Sequence, residues 1–348
     1  MFELTDNLMR AGMGLGAGIA LGFVARRGRF CTLSAIEDAV YARDTRRLRS
    51  WALAIAVAIL GTLLLTQYLG LDLSRTIYVG PRLEWGGALI GGLAFGIGMA
   101  LVGTCGFGTL LRLGGGDLKS FLTFLVLGIS ALMAMRGFTG MARIQLLDPL
   151  MLDLAPRPSQ TLPALLGLSP SGSILLTLGA VLLFGGWALS HAGFRASRKL
   201  VWSGVGIGVC IVAGWAITGI VAFDPFDTRR IESFTFVAPL GETILYAMLS
   251  TGLAIDFPIG AVLGTITGSW LAALWAKEFR WEAPDDAHEV KRHILGAFLM
   301  GTGGVAALGC TIGQGVTGVS TLALGSFLAI AAMFVGARLG LYWLVERH

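Results

Sequence analysis

The chain has 348 residues, of which 55% are hydrophobic and 14% are charged, and its formal net charge is +5. Soluble globular proteins carry roughly a quarter charged residues, and the mean hydropathy here is +0.76, so the composition excludes a soluble protein and indicates a membrane protein. A positive charge would suggest a nucleic-acid ligand in a soluble chain. Here Arg and Lys cluster at the ends of apolar runs, which is typical of membrane topology and not of a polyanion site.

Apolar runs that could cross a bilayer recur along the whole chain, and a span needs about 20 residues. The uncharged runs are residues 51–71, 85–111, 120–135, 171–190, 201–223 and 257–276, and residues 293–337 contain no Asp, Glu, Lys or Arg. The last stretch is long enough for two passes. We therefore predict a single membrane transport domain over residues 1–348. Its fold class is an all-α polytopic membrane protein with about nine transmembrane helices plus short re-entrant half-helices.

The first apolar run, residues 8–25, lacks the basic start and the small-residue cleavage site of a secretory signal, so we expect it to remain in the protein. Basic residues concentrate at residues 26–49, 195–199 and 277–292. By the positive-inside rule these three stretches lie on the cytoplasmic side. The run that starts at Trp85 then enters from outside and the run that starts at His293 from inside, so the two are inverted.

The two inverted runs are also similar in sequence. A shift of 205 positions superposes Gly96 on Gly301, Gly98 on Gly303, Cys105 on Cys310 and Gly108 on Gly313. The cysteine match is the informative one, because the chain has only four cysteines. Secondary transporters build midplane sites from inverted repeats with interrupted, Gly-rich segments. We predict a pseudo-symmetric inverted repeat, with repeat 1 at about 8–140, linker helices at about 171–222 and repeat 2 at about 238–345.

Three short segments, residues 29–34, 103–109 and 309–315, each contain a cysteine and differ from lipid-facing helix. In the second and third, glycines beside the cysteine make a continuous helix costly. Broken backbone inside a membrane must line a cavity or be buried in protein. The residues that we predict to line a substrate pathway are Cys31, Cys105, Cys310, Gly103, Thr104, Gly106, Gly108, Thr109, Gly309, Thr311, Gly313 and Gln314.

The chemistry of these loops suits an anion. Backbone amides at half-helix N-termini supply partial positive charge, and the Thr and Gln side chains add neutral polar partners. A thiol is a soft, polarizable, weak donor, which favours a sulfur-bearing ligand. The alternative for any single membrane cysteine is inert packing, and this is our interpretation of Cys210. Small residues also serve close helix contacts, which we expect of Gly12, Gly14, Gly16 and Gly18, and of Gly86, Gly87, Gly91 and Gly92.

Other site chemistry finds less support. The chain has no Cys-x-x-Cys pair, and its four histidines lie near polar ends, so we predict no metal, no cofactor and no catalytic residue. Ionisable groups inside a membrane are functional candidates by default. Asp256 precedes Pro258 and is either the N-cap of a helix or part of transport, and the role of Glu242 stays open.

The three cysteine segments look like those of a known family. Arg29-Phe30-Cys31, residues 103–108 and residues 309–315 resemble the signature segments of the YeeE/YedE family, over nearly the whole chain. The resemblance implies a multi-pass protein of the bacterial inner membrane that takes up thiosulfate through a narrow centre. It places the thiols of the route at Cys31, Cys105 and Cys310, with Cys105 central. It also implies passage by transient S–H···S contacts without covalent chemistry, and therefore a transporter instead of an enzyme.

The resemblance has implications for partners as well. Family members often act with a small cytoplasmic sulfurtransferase resembling TusA. No such domain follows Glu346, so we expect it as a separate chain beside the lipid bilayer, and we expect no nucleic acid. Three alternatives stay open: transport of another sulfur or selenium species, a membrane thiol enzyme that relays sulfane sulfur as a persulfide, and a structural membrane subunit.

Overall fold

The structure, a computed structural model, describes residues 2–223, 229–283 and 286–346. Within these ranges the chain is helical apart from its loops and one two-stranded antiparallel ribbon, in which β1 pairs Arg82 with Asp153 of β2. The first helices and strand are α1 (Phe2–Arg27), α2 (Thr32–Val40), α3 (Arg46–Tyr68), β1 (Arg82–Leu83), α4 (Gly92–Val102), α5 (Gly106–Gly114), α6 (Leu118–Arg136), α7 (Phe138–Leu146) and β2 (Leu152–Asp153). The later helices are α8 (Leu162–Leu165), α9 (Pro170–Leu189), α10 (Ala192–Ala196), α11 (Arg198–Ala216), α12 (Ala238–Leu249), α13 (Phe257–Trp275), α14 (Ala287–Ala306) and α15 (Leu324–Leu341).

Short helices of other types extend this framework. A π-helical turn, Gly87–Gly91, leads into α4, and another, Ile217–Val221, continues α11. Between α14 and α15 the chain forms a π-helix over Gly313–Gly318 and a 3₁₀ turn over Val319–Thr321. Together with the helical residues that precede them, these make one short helix, which we call the 311–321 helix.

Eight helical segments among the described residues are long and apolar enough to cross a membrane. The 20-residue α14 does not meet that criterion, because its first two turns carry charged side chains, but it packs between α4 and α6. Nine helices therefore form the bundle within the described ranges, as the sequence predicts. The prediction of an all-α polytopic membrane protein is confirmed.

The long helices contact each other in exchanged pairs. Helix α1 packs on α13 while α3 packs on α11, and α4 packs on α15 while α14 packs on α6. Two further pairs, α1 with α11 and α4 with α14, also pack together. This exchange of partners is what two inverted halves of a chain produce when they interlock.

The packing of α1 against α13 depends on small residues along one side of α1. A Cβ atom added at Gly14 would lie 2.5 Å from the carbonyl oxygen of Phe257, and one added at Gly18 would lie 2.5 Å from that of Ala261. Such close backbone approach is the reason for glycine at helix contacts in membranes. The packing prediction is wrong for Gly12 and Gly16, which face open space on the other side of α1.

The three basic stretches lie at the same end of the bundle. Arg29 forms an ion pair with Glu278 at 3.8 Å, and Arg49 donates to the hydroxyl of Ser190 at 2.8 Å. We call this end the basic face. The β1–β2 ribbon lies at the other end, which we call the opposite face. This arrangement agrees with the topology expected from the Lys and Arg distribution.

Candidate functional site

Cys105 lies at the break between α4 and α5, inside the bundle. Helix α4 ends at Gly103, whose φ of +78° is left-handed and favours glycine. Cys105 then takes an extended conformation and becomes the N-cap of α5, where its Sγ accepts the N–H of Gly108 at 3.4 Å. The thiol is buried, at 1% exposure. The predicted half-helix therefore begins at Cys105.

Cys310 repeats this geometry at the end of α14. The chain turns through left-handed Leu308, with φ +58°, and the 311–321 helix begins after Cys310. The Sγ of Cys310 accepts the N–H of Gly313 at 3.3 Å. Cys105 accepts the same kind of bond from the residue three positions later. The side chain is fully buried. Because the two short helices lead away from the centre toward opposite faces, their N-termini converge there.

Cys31 is the N-cap of the third short helix, α2. After α1 ends, left-handed Arg29 turns the chain back into the protein, and Cys31 has an extended conformation with φ −142°. Its side chain is half-buried, unlike the other two thiols. It lies near enough to Cys105 to interact electrostatically, as Cys310 does. The three predicted cysteines are therefore neighbours, with Cys105 between the other two.

Two hydroxyl groups join these helix starts. Thr32, the first residue of α2, donates to the hydroxyl of Thr311 at 3.0 Å, and its Oγ1 lies 3.9 Å from the Sγ of Cys105. Thr311 is itself within hydrogen-bonding reach of that sulfur. The centre therefore presents thiols and hydroxyls, next to backbone N–H groups at three helix N-termini. Thr32 belongs to a candidate segment, but the pathway prediction did not include it.

Sequence reasoning missed a fourth segment at the centre, residues 231–237. This extended stretch enters from the opposite face and leads into α12. It brings the N–H of Phe236 and the hydroxyl of Thr235 to the sulfur of Cys310, and Thr235 also hydrogen-bonds to the side chain of Tyr78. The shift of 205 positions that aligns Cys105 with Cys310 in the sequence also aligns Cys31 with Phe236. The repeat offset could therefore have identified this segment.

The other predicted pathway residues divide by what their polar atoms do. Thr109 donates its hydroxyl to the carbonyl of Cys105 at 3.0 Å, so its hydroxyl serves α5. Gln314 donates its amide to the carbonyl of Ala307 at 2.6 Å, while its Oε1 is buried and accepts no hydrogen bond. The hydroxyl of Thr104 is likewise buried and unpartnered. Thr104 and Gln314 therefore retain polar atoms that a ligand could satisfy.

The predicted glycines leave room for neighbouring side chains. A Cβ at Gly108 would overlap the hydroxyl of Thr104, and one at Gly313 would overlap the hydroxyl of Thr235. Gly309 has a φ of +155°, outside the range of ordinary side chains. A Cβ at Gly106 would lie 3.3 Å from the carbonyl of Phe236. Close approach and backbone conformation thus explain these positions.

Two cavities of different size approach the thiol centre, which is the group formed by Cys31, Cys105 and Cys310, from the two ends of the bundle. On the side of the basic face, a cavity of about 340 Å³ is lined by Cys31, Thr104 and Gly108 together with arginines. On the opposite side, a cavity of about 20 Å³ is lined by residues that include Tyr78 and Gln314. Buried Cys105 and Cys310 lie between the two cavities and separate them, and the cavity toward the basic face is the larger one.

The remaining candidates lie away from this centre. Asp256 accepts the N–H of Phe257 at 2.8 Å and pairs with Arg229 at 3.6 Å, so it caps α13. Glu242 lies on α12 near Arg136. Cys210 is buried in α11 among hydrophobic side chains. Among the described residues there is no group of three His, Cys, Asp or Glu side chains that could hold a metal ion.

Comparison with known proteins relates this geometry to transporters. The family model described as sulphur transport matches residues 27–339. The chain is 28% identical over 351 residues to the thiosulfate transporter TsuA of Spirochaeta thermophila. The aligned region covers 96% of this chain and 99% of that protein. It is 27% identical over 341 residues to the thiosulfate transporter TsuA of Escherichia coli, covering 93% and 91% of the two chains.

A shorter similarity involves a second Escherichia coli protein, named "Probable transporter YedE". The identity is 30% over 108 residues, which is 30% of this chain and 25% of that protein. The match to the sulphur transport model, in contrast, spans all three cysteine segments. The protein therefore belongs to the YeeE/YedE family of sulphur transport proteins.

Proposed function

We propose that this protein takes up thiosulfate across the bacterial inner membrane, through the thiol centre formed by Cys31, Cys105 and Cys310. The observation that carries the proposal is the convergence of Cys105 and Cys310, each capping a short helix where a long helix breaks. The names of the two relatives that match over nearly their full length support the choice of substrate.

The centre suits the two ends of a thiosulfate ion differently. Its oxygens carry most of the charge and match backbone N–H groups at helix N-termini, each of which has a partial positive charge of about half a unit. The hydroxyls of Thr32 and Thr311 supply further donors. The terminal sulfur is large and polarizable, and matches the weakly donating thiols. The ion can therefore leave its water without meeting a fixed charge that would trap it.

The order of the thiols follows from the two cavities. An ion that enters from the opposite face passes Tyr78 and Gln314, reaches Cys310, moves to Cys105 and leaves past Cys31 into the cavity of about 340 Å³. Conduction requires binding that is favourable enough for entry and weak enough for exit, which several weak sites in series provide. Each S–H group donates a hydrogen bond to the ion and keeps its proton when the ion moves on. No covalent bond forms.

The same proposal includes the organisation of the chain. Repeat 1 occupies about 8–140 and repeat 2 about 238–345, and α9 and α11 occupy the linker at about 171–222. The exchanged contacts of α4 with α15 and of α14 with α6 support this division. A TusA-like sulfurtransferase, as a separate chain, would receive the ion at the basic face, and the protein itself would not act as an enzyme.

Growth on thiosulfate tests the proposed function. A bacterium that cannot take up sulfate is given thiosulfate as its sole sulfur source, and expresses the wild type, Cys105→Ala or Cys210→Ala. We expect rescue by the wild type and by Cys210→Ala, and failure of Cys105→Ala at equal amounts of membrane protein. Failure of a folded wild type to rescue growth would refute the thiosulfate assignment, and rescue by Cys105→Ala would refute the thiol route.

A further inference from the structure

The residues that line the cavity between the thiol centre and the basic face carry an excess of positive charge. Four arginines, Arg26, Arg29, Arg47 and Arg112, line it together with a single acid, Glu278. Arg29 is exposed and its bridge to Glu278 spans 3.8 Å. This arrangement gives the cavity a positive potential, and a cleft with low-dielectric walls concentrates that potential on small anions.

One polar group at the inner wall of this cavity has no protein partner. The hydroxyl of Thr104 is buried, with the residue 1% exposed, and makes no hydrogen bond. Gly108 leaves the space that this hydroxyl occupies, and both residues line the cavity beside Cys31. A buried hydroxyl without a partner costs roughly 1–3 kcal/mol, which a bound oxyanion would offset by accepting its hydrogen bond.

We propose that this cavity is a second anion site, which we call the inner site, and that it binds small divalent oxyanions, sulfate included, independently of the thiols. Thr104 provides a hydrogen bond to an oxygen of the ion, and Arg29 and Arg47 provide charge. The inference rests on the proposed function, since it takes this cavity as the inner end of the thiosulfate route.

The inner site differs from the thiol centre in what it can distinguish. Hydroxyl and guanidinium groups interact with oxygens, and sulfate and thiosulfate both carry three or more of them with the same charge. Discrimination by sulfur therefore belongs to the thiol centre, while the inner site retains either ion. Sulfate on the side of the basic face should then compete with thiosulfate for the inner site and slow the transport of thiosulfate.

Other arginines of the cavity have structural roles that make them poor probes. Arg112 donates to the carbonyl of Gly103 at 2.7 Å and holds the loop that leads to Cys105. Arg26 donates to the carbonyl of Leu111 at 2.7 Å. Arg29 and Arg47 form ion pairs with exposed or half-exposed acids, the latter with Asp38 at 3.2 Å, so their replacement changes charge without removing a backbone support.

The test measures binding of radiolabelled sulfate to the purified full-length protein in detergent at low salt. The variants are Cys105→Ala, the double variant Arg29→Gln with Arg47→Gln, and Glu278→Gln. The control is Arg195→Gln, because Arg195 is an exposed cation near the same face that bonds to Leu189 outside the cavity. Thermal unfolding of each variant confirms that it is folded.

We expect sulfate to bind the wild type, Cys105→Ala and Arg195→Gln with equal affinity. The double arginine variant should bind sulfate about tenfold more weakly, because it removes positive charge from around the ion. Glu278→Gln should bind sulfate more tightly, because it removes a negative charge. Absence of sulfate binding, its loss in Cys105→Ala, or equal binding by Glu278→Gln and wild type would overturn the inner site. A protein that binds sulfate but moves no thiosulfate would refute the proposed function alone.

Discussion

Thr32 donates its hydroxyl to the hydroxyl of Thr311 across 3.0 Å, although 279 positions separate the two residues. The bond joins the start of α2 to the start of the 311–321 helix, directly beside Cys105. It therefore connects the N-terminal and C-terminal parts of the chain at the point where the proposed route is narrowest.

Removing one hydroxyl of this pair should slow transport. Thr32→Val keeps the shape of the side chain, but it leaves Thr311 without its donor and removes a contact to the ion. We therefore expect thiosulfate uptake to fall roughly five- to tenfold, which corresponds to the loss of about one hydrogen bond. Initial uptake rates per amount of membrane protein give the effect. Thr302→Val is the matched control, because Thr302 donates only within its own helix, to Phe298 at 2.8 Å. Equal loss in both variants would contradict the role of Thr32.

Filling the space beside Cys310 should be harmful. In Gly313→Ala the new methyl group would overlap Thr235, and overpacking of a well-packed interior costs typically about 1–3 kcal/mol. We expect a lower midpoint of thermal unfolding in detergent together with reduced uptake. Gly16→Ala, where no atom lies within 4 Å of the added group, should keep wild-type uptake and gain roughly 0.5–1 kcal/mol of stability. A Gly313→Ala protein with wild-type stability and uptake would show that the centre is not closely packed.

The two sides of α1 should respond differently to larger residues. Gly18→Val places a side chain against the backbone of Ala261 and should separate α1 from α13, so we expect most of the protein to be lost to aggregation or degradation. Gly12→Val, on the open side of the same helix, should leave the yield nearly unchanged. Fluorescence-detected size-exclusion chromatography compares the two. Equal yields would contradict the close contact between the helices.

The thiols should remain unmodified during transport. In a covalent relay, a cysteine thiolate would attack the sulfane sulfur of thiosulfate, forming a persulfide and releasing sulfite. In the route proposed above no such bond forms. Intact mass analysis of protein incubated with thiosulfate and then alkylated should therefore show no added sulfur atom. A mass increase of one sulfur that disappears in Cys105→Ala would support the relay and refute passage by weak contacts.

Sequence predicted the membrane bundle and the three cysteine segments because both depend on local composition. Long charge-free runs require spanning helices, and glycines beside Cys105 and Cys310 require breaks in them. The segment with Thr235 and Phe236 was missed because it has no cysteine and follows a charged stretch that resembles an external loop. Only the repeat offset, which aligns Phe236 with Cys31, points to it.

Side-chain partners could not be predicted in the same way. The spacing of Gly12, Gly14, Gly16 and Gly18 suggests one packing surface, but successive positions at intervals of two lie on different sides of a helix. Only Gly14 and Gly18 contact α13. Likewise, the sequence does not reveal that Thr109 bonds to its own helix while Thr104 keeps a free hydroxyl, since this depends on how α5 begins.

Flux of radiolabelled thiosulfate into proteoliposomes that contain only this protein tests the central claim most directly. Wild type and Cys210→Ala should accumulate thiosulfate at similar rates, because Cys210 serves packing. Cys105→Ala should lose at least about 90% of the flux, because Cys105 supplies the narrowest contact. This loss corresponds to a transport barrier that is higher by more than about 1.4 kcal/mol. Flux in Cys105→Ala equal to that of the wild type would contradict a route through the thiol centre.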